Sequence, residues 1–386
     1  MRTIAAFGML LLAGVGTAAP LTKEKDPATP FVQWAARDEF AANEPHDPMV
    51  VGDRVIVGTD KGELRAYRCK DGEPAWTQNY GGRLFHRPSS DGKRIYFMSN
   101  RGLTAAAADD GAEAWATKLP FGDGPVLALV KPALVCVAGD DGTLYAVDAA
   151  TGKQAWTADL LTDAPADPPD FPGERARLGG TKARPSSLAA DGQALFVSIF
   201  DQSRVVAFDV ATGKQLWSFQ AAGWVYGSAV ATAKHVFVGS QDKRFYCLDR
   251  QTGKKVWDYK TNSRIESGGA VDEKFVYFGS CDGHVYCLAQ ADGKERWKFA
   301  ADRDGDRASA IYSVPVLRRD SLYFAAGEGQ VYALDRETGR LKGKVRPSEQ
   351  SHLYCSLAAD DVHLFATTRA RNKGTGEPSL VAIGLK

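Results

Sequence analysis

The chain has 386 residues, a formal net charge of +1, 44% hydrophobic and 25% charged residues, which is ordinary for a soluble globular protein. A balance this close to neutral lacks the basic footprint of a nucleic-acid binder, and no block of like charge forms a charged tail, so no nucleic-acid partner is expected. Glycine is frequent, at 39 residues, which favours many tight turns over long helices.

At the N-terminus, Arg2 precedes an apolar run from Ile4 to Val15 and then the small residues Gly16, Thr17, Ala18 and Ala19. One positive charge, a short apolar stretch and a small-residue exit describe a secretory signal peptide. Residues 1–18 read as that signal and residues 19–30 as a linker. The run is too short for a comfortable membrane span, so none is expected. The first cysteine is Cys69, far from the exit, so no lipid anchor is expected either. The location this implies is outside the cytoplasm, periplasmic or extracellular.

Beyond residue 30 the chain repeats itself. The segments 144–156 (LYAVDAATGKQAW), 205–217 (VVAFDVATGKQLW), 245–257 (FYCLDRQTGKKVW) and 285–297 (VYCLAQADGKERW) are variants of one pattern. Weaker copies lie at 64–76 and 103–115, and the copy at 331–343 ends in Gly343 where the others have Trp. Trp34, Trp76, Trp115 and Trp156, then Trp217, Trp257 and Trp297, recur about every 40 residues; Trp224 alone is out of register. Each period holds four short runs rich in Val, Tyr and Phe; in one copy they are Gly269–Val271, Phe275–Gly279, His284–Leu288 and Arg296–Phe299. Four strands broken by Asp-Gly or Thr-Gly turns describe an antiparallel meander, and a period of about 40 residues describes propeller blades. Gly213 and its equivalents are expected at positive φ between the third and fourth strands, with Asp209 and its equivalents fixing the turn through backbone N–H groups.

Seven copies run from Val50 to about Val345. The tail adds three runs, Ser356–Ala358, His363–Thr367 and Leu380–Ile383, and lacks a fourth. Phe31–Ala35, carrying Trp34, is an orphan strand at the other end. The expectation is therefore an all-β, eight-bladed β-propeller over residues 31–386, built of four-stranded antiparallel blades. Its ring is closed by the N-terminal strand pairing with the C-terminal blade, which removes two exposed edges.

Two stretches break the rhythm. Residues 160–184 form an insertion rich in Pro, Asp and Gly, read as a long surface loop. Residues 301–310 carry Asp302, Asp304 and Asp306 around Gly305; the spacing does not match an EF-hand, so a solvated acidic turn is expected.

The pattern A-x-D-x-x-T-G-K-x-x-W is complete at Ala146–Trp156 and Ala207–Trp217. It resembles the tryptophan-docking motif of the pyrroloquinoline quinone (PQQ) repeat family, which would make Trp34, Trp76, Trp115, Trp156, Trp217, Trp257 and Trp297 docking residues. One branch of that family is the quinoprotein dehydrogenases, which bind PQQ and calcium above the central channel. The other is non-enzymatic and BamB-like, named for the propeller subunit of outer-membrane protein assembly. The chain lacks the adjacent cysteine pair that many dehydrogenases place against the cofactor, and their calcium ligands and catalytic Asp match no motif here. The resemblance implies a non-enzymatic scaffold with no PQQ or metal, whose partner is a protein. The alternatives are a PQQ-dependent dehydrogenase or its relic, and a sugar- or polymer-binding propeller.

Cys247 and Cys287 stand where Ala146 and Ala207 stand in other copies, a position for a small packed side chain, and are expected as free thiols. Aligning the repeats brings the starts of the innermost strands to one channel mouth. The candidate partner-binding rim is His86, Arg87, Arg184, Tyr226, Arg264, Glu266, Tyr312 and Tyr354, with His46, Asp47, Ser186 and Ser267 nearby. The same residues also fit a wet channel entrance with an ordinary polar lining. The insertion at 160–184 leads into Arg184 and is expected to reach the same face.

Overall fold

The computed structural model describes residues 31–36, 46–120, 126–130, 133–162, 183–347, 351–353, 356–370 and 379–385. The expected signal peptide and linker, Tyr354, Cys355 and most of the insertion lie outside them. Seven consecutive meanders each form a four-stranded antiparallel sheet in chain order, from Met49–Asn79 to Val316–Val345. An eighth sheet is built from both ends of the chain, giving an eight-bladed β-propeller. Blade six consists of Gly269–Val271, Phe275–Gly279, His284–Ala289 and Glu295–Ala300, within a residue of the sequence expectation at each end. Among the described residues the helical content is one 3-10 turn, Phe200–Gln202.

Blade eight runs Ala358–Ala359, His363–Ala370, Ser379–Gly384 and then Phe31–Ala36 as the outer strand. Its inner strand starts two residues later than expected, and Ser351–His352 pairs separately with Arg369–Ala370. Phe31 pairs with Gly384 and Ala36 with Leu380, so the ends zip antiparallel. On the channel side, Asp47 Oδ2 accepts the Ser356 N–H at 3.2 Å, joining blade eight to blade one a second time.

The hydrophobic core lies between blades. One cluster joins Phe196, Ala207 and Trp217 of blade four to Val225, Val236 and Leu248 of blade five. The register tryptophans bind seven of the eight blade junctions in the same direction. Each indole N–H donates to a carbonyl of the next blade: Trp156 to Val210 at 3.0 Å, Trp217 to Arg250 at 2.8 Å, Trp257 to Gln290 at 2.9 Å. Trp34, from the far end of the chain, does the same to Cys69 at 2.9 Å. Each ring also covers the turn glycine of that blade. Gly253 has φ +69°, and a Cβ built there would stand 2.6 Å from Trp217 Cδ2, so the close approach excludes any side chain. Beside it, the Asp249 carboxylate accepts the Thr252 N–H and hydroxyl at 2.8 and 2.7 Å, fixing the turn.

Gly343 occupies the Trp position of blade seven, opposite Ala333. Blade eight explains it. Its third and fourth strands come from opposite ends of the chain, so no turn glycine is present there to be covered.

At the other end of the blades, the turn between second and third strands is held by a carboxylate–tyrosine pair. Tyr145 donates to Asp141, Tyr246 to Asp242, Tyr286 to Asp282 and Tyr332 to Glu328. These turns adjoin the connections between blades, and they set the height of the residues described next.

Candidate functional site

Four blade connections run past the second-to-third-strand turns and bond to them at one repeated point. The carbonyl oxygens of Arg184, Trp224, Arg264 and Ala310 accept from the backbone N–H groups of Phe200, Gln241, Cys281 and Gly327, at 3.1, 2.8, 2.9 and 2.9 Å. Arg184, Trp224 and Arg264 therefore occupy equivalent stations on blades four, five and six. Two residues on from Trp224, Arg264 and Ala310 stand Tyr226, Glu266 and Tyr312, each half-buried. Between the two rows Val225, Ile265 and Ile311 are fully buried, so strand-like alternation turns the flanking side chains outward.

The structure brings the sequence-predicted Tyr226, Arg264, Glu266 and Tyr312 into one cluster. Glu266 accepts from Arg264 Nε at 2.7 Å and from Gln241 Nε2 at 2.6 Å. Burial, then the nearby Glu266 carboxylate, pushes the Tyr226 phenol up. Tyr312 is pushed up by burial, then by Cys281 and Glu266, while the nearby Arg264 guanidinium acts in the opposite direction. Burial likewise pushes the Cys281 thiol up to about 11.

Sequence reasoning missed two aromatic members of this cluster. Phe200 stacks on Tyr226 with centroids 5.0 Å apart and planes 18° from parallel, and Trp224 meets Phe200 edge-on at 6.0 Å and Tyr226 at 6.2 Å. Trp224 was legible as the tryptophan out of register, the mark of a role outside blade packing. Phe200 was legible as an aromatic in a turn position that holds Gln241, Cys281 and Gly327 elsewhere.

Phe200 opens the 3-10 turn at the end of blade four's second strand, and the turn is buried and polar. Asp201, Gln202, Ser203 and Arg204 are all at most 5% exposed. Asp201 Oδ1 accepts the Arg184 N–H at 3.0 Å. Arg204 donates to Ser218 Oγ from Nε and Nη2, to Gln202 Oε1, and to the Thr162 carbonyl oxygen. Thr162 and Arg184 flank residues 163–182, so one turn grips both stalks of the insertion and carries Phe200 into the aromatic cluster.

The remaining candidates are elsewhere. Arg87 is exposed and lines the central channel with Asp47, Ser186, Ser187, Ser228 and Ser356, around a cavity of about 470 Å³. The channel serines donate inward to the scaffold: Ser186 to the Val225 carbonyl at 2.7 Å, Ser187 to the Gly227 carbonyl at 3.2 Å. His86 lies in the strand Leu84–Ser90, and its side chain and Tyr354 fall outside the described residues. Of the predicted rim, Tyr226, Arg264, Glu266 and Tyr312 thus form a cluster over blades five to seven, and Arg87 stands apart in the channel.

Among the described residues no three His, Cys, Asp or Glu side chains gather as a metal site. Asp302 is engaged by Lys344 and by Gln330 Nε2. Cys69, Cys136, Cys247, Cys281 and Cys287 are free thiols. No helix of the described residues is long and apolar enough to cross a membrane.

A closed ring of eight four-stranded antiparallel blades is the framework of the PQQ-like propellers. A family model described as outer membrane protein assembly factor BamB matches residues 25–259 and again 140–376, and the chain belongs to that family. Among curated proteins it resembles the outer membrane protein assembly factor BamB of Burkholderia pseudomallei, 26% identical over 201 residues. That match covers 51% of this chain and 48% of the relative, so it spans about half the relative's length. Among solved structures, BamB from Moraxella catarrhalis superposes with a TM-score of 0.68 at 16% identity, covering 92% of this chain and 100% of that one. A europium-containing methanol dehydrogenase gives 0.69 at 14% identity, covering 94% of each chain. At such identities these superpositions speak for the fold alone.

Proposed function

We propose that the protein is a non-enzymatic, exported scaffold of the BamB type that holds a protein partner on the mouth formed by blades four to seven. The observation that carries this reading is the cluster of Phe200, Trp224, Tyr226, Arg264, Glu266 and Tyr312. Tyr, Trp and Arg dominate the energetic centres of protein interfaces, where they act as large groups already fixed in place. Here the rings are fixed by mutual packing and Arg264 by Glu266. The names of the matching relatives support a partner in outer-membrane protein assembly, and the N-terminal pattern supports a periplasmic or extracellular location.

The test is a photo-crosslinking amino acid placed at Tyr226 and, as a control, at Val256, which is 48% exposed away from this cluster. In the native host the first position should trap a component of outer-membrane protein assembly and the second should not. The same adduct from both positions, or none from Tyr226, refutes the reading. A dehydrogenase would instead bind PQQ with calcium and oxidise alcohols or sugars in a dye-linked assay; neither is expected.

A further inference from the structure

The stations on successive blades suggest what the partner must present. Arg184, Trp224 and Arg264 offer their carbonyls to the turns in the same way, so their side chains leave the rim as a row of cation, aromatic and cation. The two arginines differ in their partners. Arg264 is 51% exposed along its side chain, and Glu266 takes its Nε. A guanidinium has five N–H donors, so the contact of Glu266 with Nε does not exhaust them. Arg184 is half-buried, and its backbone N–H and carbonyl are both used by the 3-10 turn. Among the described residues its guanidinium has no carboxylate partner, in contrast to Arg54, Arg65, Arg101, Arg244 and Arg250. Between the arginines, Trp224 with Phe200 and Tyr226 makes an apolar shelf.

We propose that this row receives an acidic segment of the partner protein, in which one apolar side chain lies on the Phe200–Trp224–Tyr226 shelf and flanking carboxylates meet Arg184 and Arg264. This rests on the scaffold reading and names the chemistry of its partner. Planar guanidinium groups bind carboxylates through paired N–H donors, and a segment lying across three blades reaches both. Glu266 repels an acidic segment, but its carboxylate is already engaged by Arg264 and Gln241, and the two guanidinium groups together carry one more charge than it does. The segment contributes no bond making or breaking.

The experiment uses the mature full-length protein labelled with 5-fluorotryptophan, with the Trp224 resonance identified by its loss in Trp224→Phe. Two acetylated, amidated peptides serve as probes, Gly-Asp-Phe-Asp-Gly and its counterpart Gly-Lys-Phe-Lys-Gly. The acidic probe should move the Trp224 resonance saturably, and the basic one should not. Arg184→Met and Arg264→Met should each weaken the acidic probe about fivefold to tenfold, on the scale of one lost charge-assisted contact. Raising salt from 0.05 to about 0.5 M should weaken it in the native protein more than in either variant. An unmoved Trp224 resonance, equal response to both probes, or unchanged binding in both arginine variants overturns the proposal. Crosslinking at Tyr226 is independent of these peptides: if it succeeds while the peptides fail, the scaffold stands and only the acidic chemistry is wrong.

Discussion

Arg204 Nη2 donates to the carbonyl oxygen of Thr162 at 3.1 Å, across 42 residues of sequence, from a side chain only 1% exposed. A buried guanidinium that also holds Ser218 and Gln202 is a junction between blade four and the first stalk of the insertion. Arg204→Met keeps the bulk and removes the donors. It should cost about 1–3 kcal/mol, the usual penalty for leaving buried acceptors unpaired. Protease nicking between residues 160 and 184 should quicken under native conditions. Denaturant melts and timed digests check both, and nicking at the native rate would mean that Arg204 does not hold the stalk.

The tryptophan–glycine contacts make a paired prediction. Trp217→Ala should cost about 3–5 kcal/mol, as for other buried aromatics. Gly253→Ala should also be strongly destabilising, because its Cβ would stand 2.6 Å from Trp217 and its φ is +69°. Combining them should cost less than the sum, since removal of the indole removes the clash. A double-mutant cycle by urea denaturation with zero coupling would contradict the contact.

Acid should loosen the blade turns. The Asp148, Asp209 and Asp249 carboxyls are held below the usual range, first by hydroxyl donation from Thr151, Thr212 and Thr252 and then by backbone N–H groups. A folded-state pKa depressed below its unfolded value gives stability that is present above about pH 4 and lost as pH falls through the folded value. Melting temperature should therefore drop below about pH 4, and the triple Asp→Asn variant should show a shallower drop. Parallel pH profiles of the two proteins would count against these turns as the titrating sites.

Ring closure is testable at the chain ends. Deleting Phe31–Ala36 removes the outer strand of blade eight and bares the edge of Ser379–Gly384. The truncated protein should melt lower and self-associate, because an unpaired edge templates further pairing. Sedimentation analysis showing a monomer of unchanged thermal stability would mean that the closure is dispensable.

The buried thiols should be inert. Burial pushes Cys136, Cys247 and Cys287 up to about 12, so little thiolate exists at pH 8. A thiol-specific disulfide reagent should leave these three unmodified until the protein is unfolded. Rapid native labelling at Cys247 or Cys287, read by peptide mass spectrometry, would contradict their packing.

The sequence alone determined the blade period, the four-strand meander, the turn chemistry and the pairing of Phe31–Ala36 with the tail. All of these are written in short windows: Asp249, Thr252 and Gly253 make their turn whatever the rest of the chain does, and an orphan Trp34 signals a missing partner. The tertiary structure decided what depends on neighbouring blades. Gly343 is explained only once blade eight proves to have no turn to cover. Phe200, Trp224 and Tyr226 meet only because blades four and five stand side by side, and Arg184 and Arg264 share a row only because each blade repeats the same backbone bond. Trp224, which breaks the repeat in the sequence, sits at the centre of the candidate surface because it stands on the connection into blade five, where it meets Phe200 and Tyr226 rather than a turn glycine.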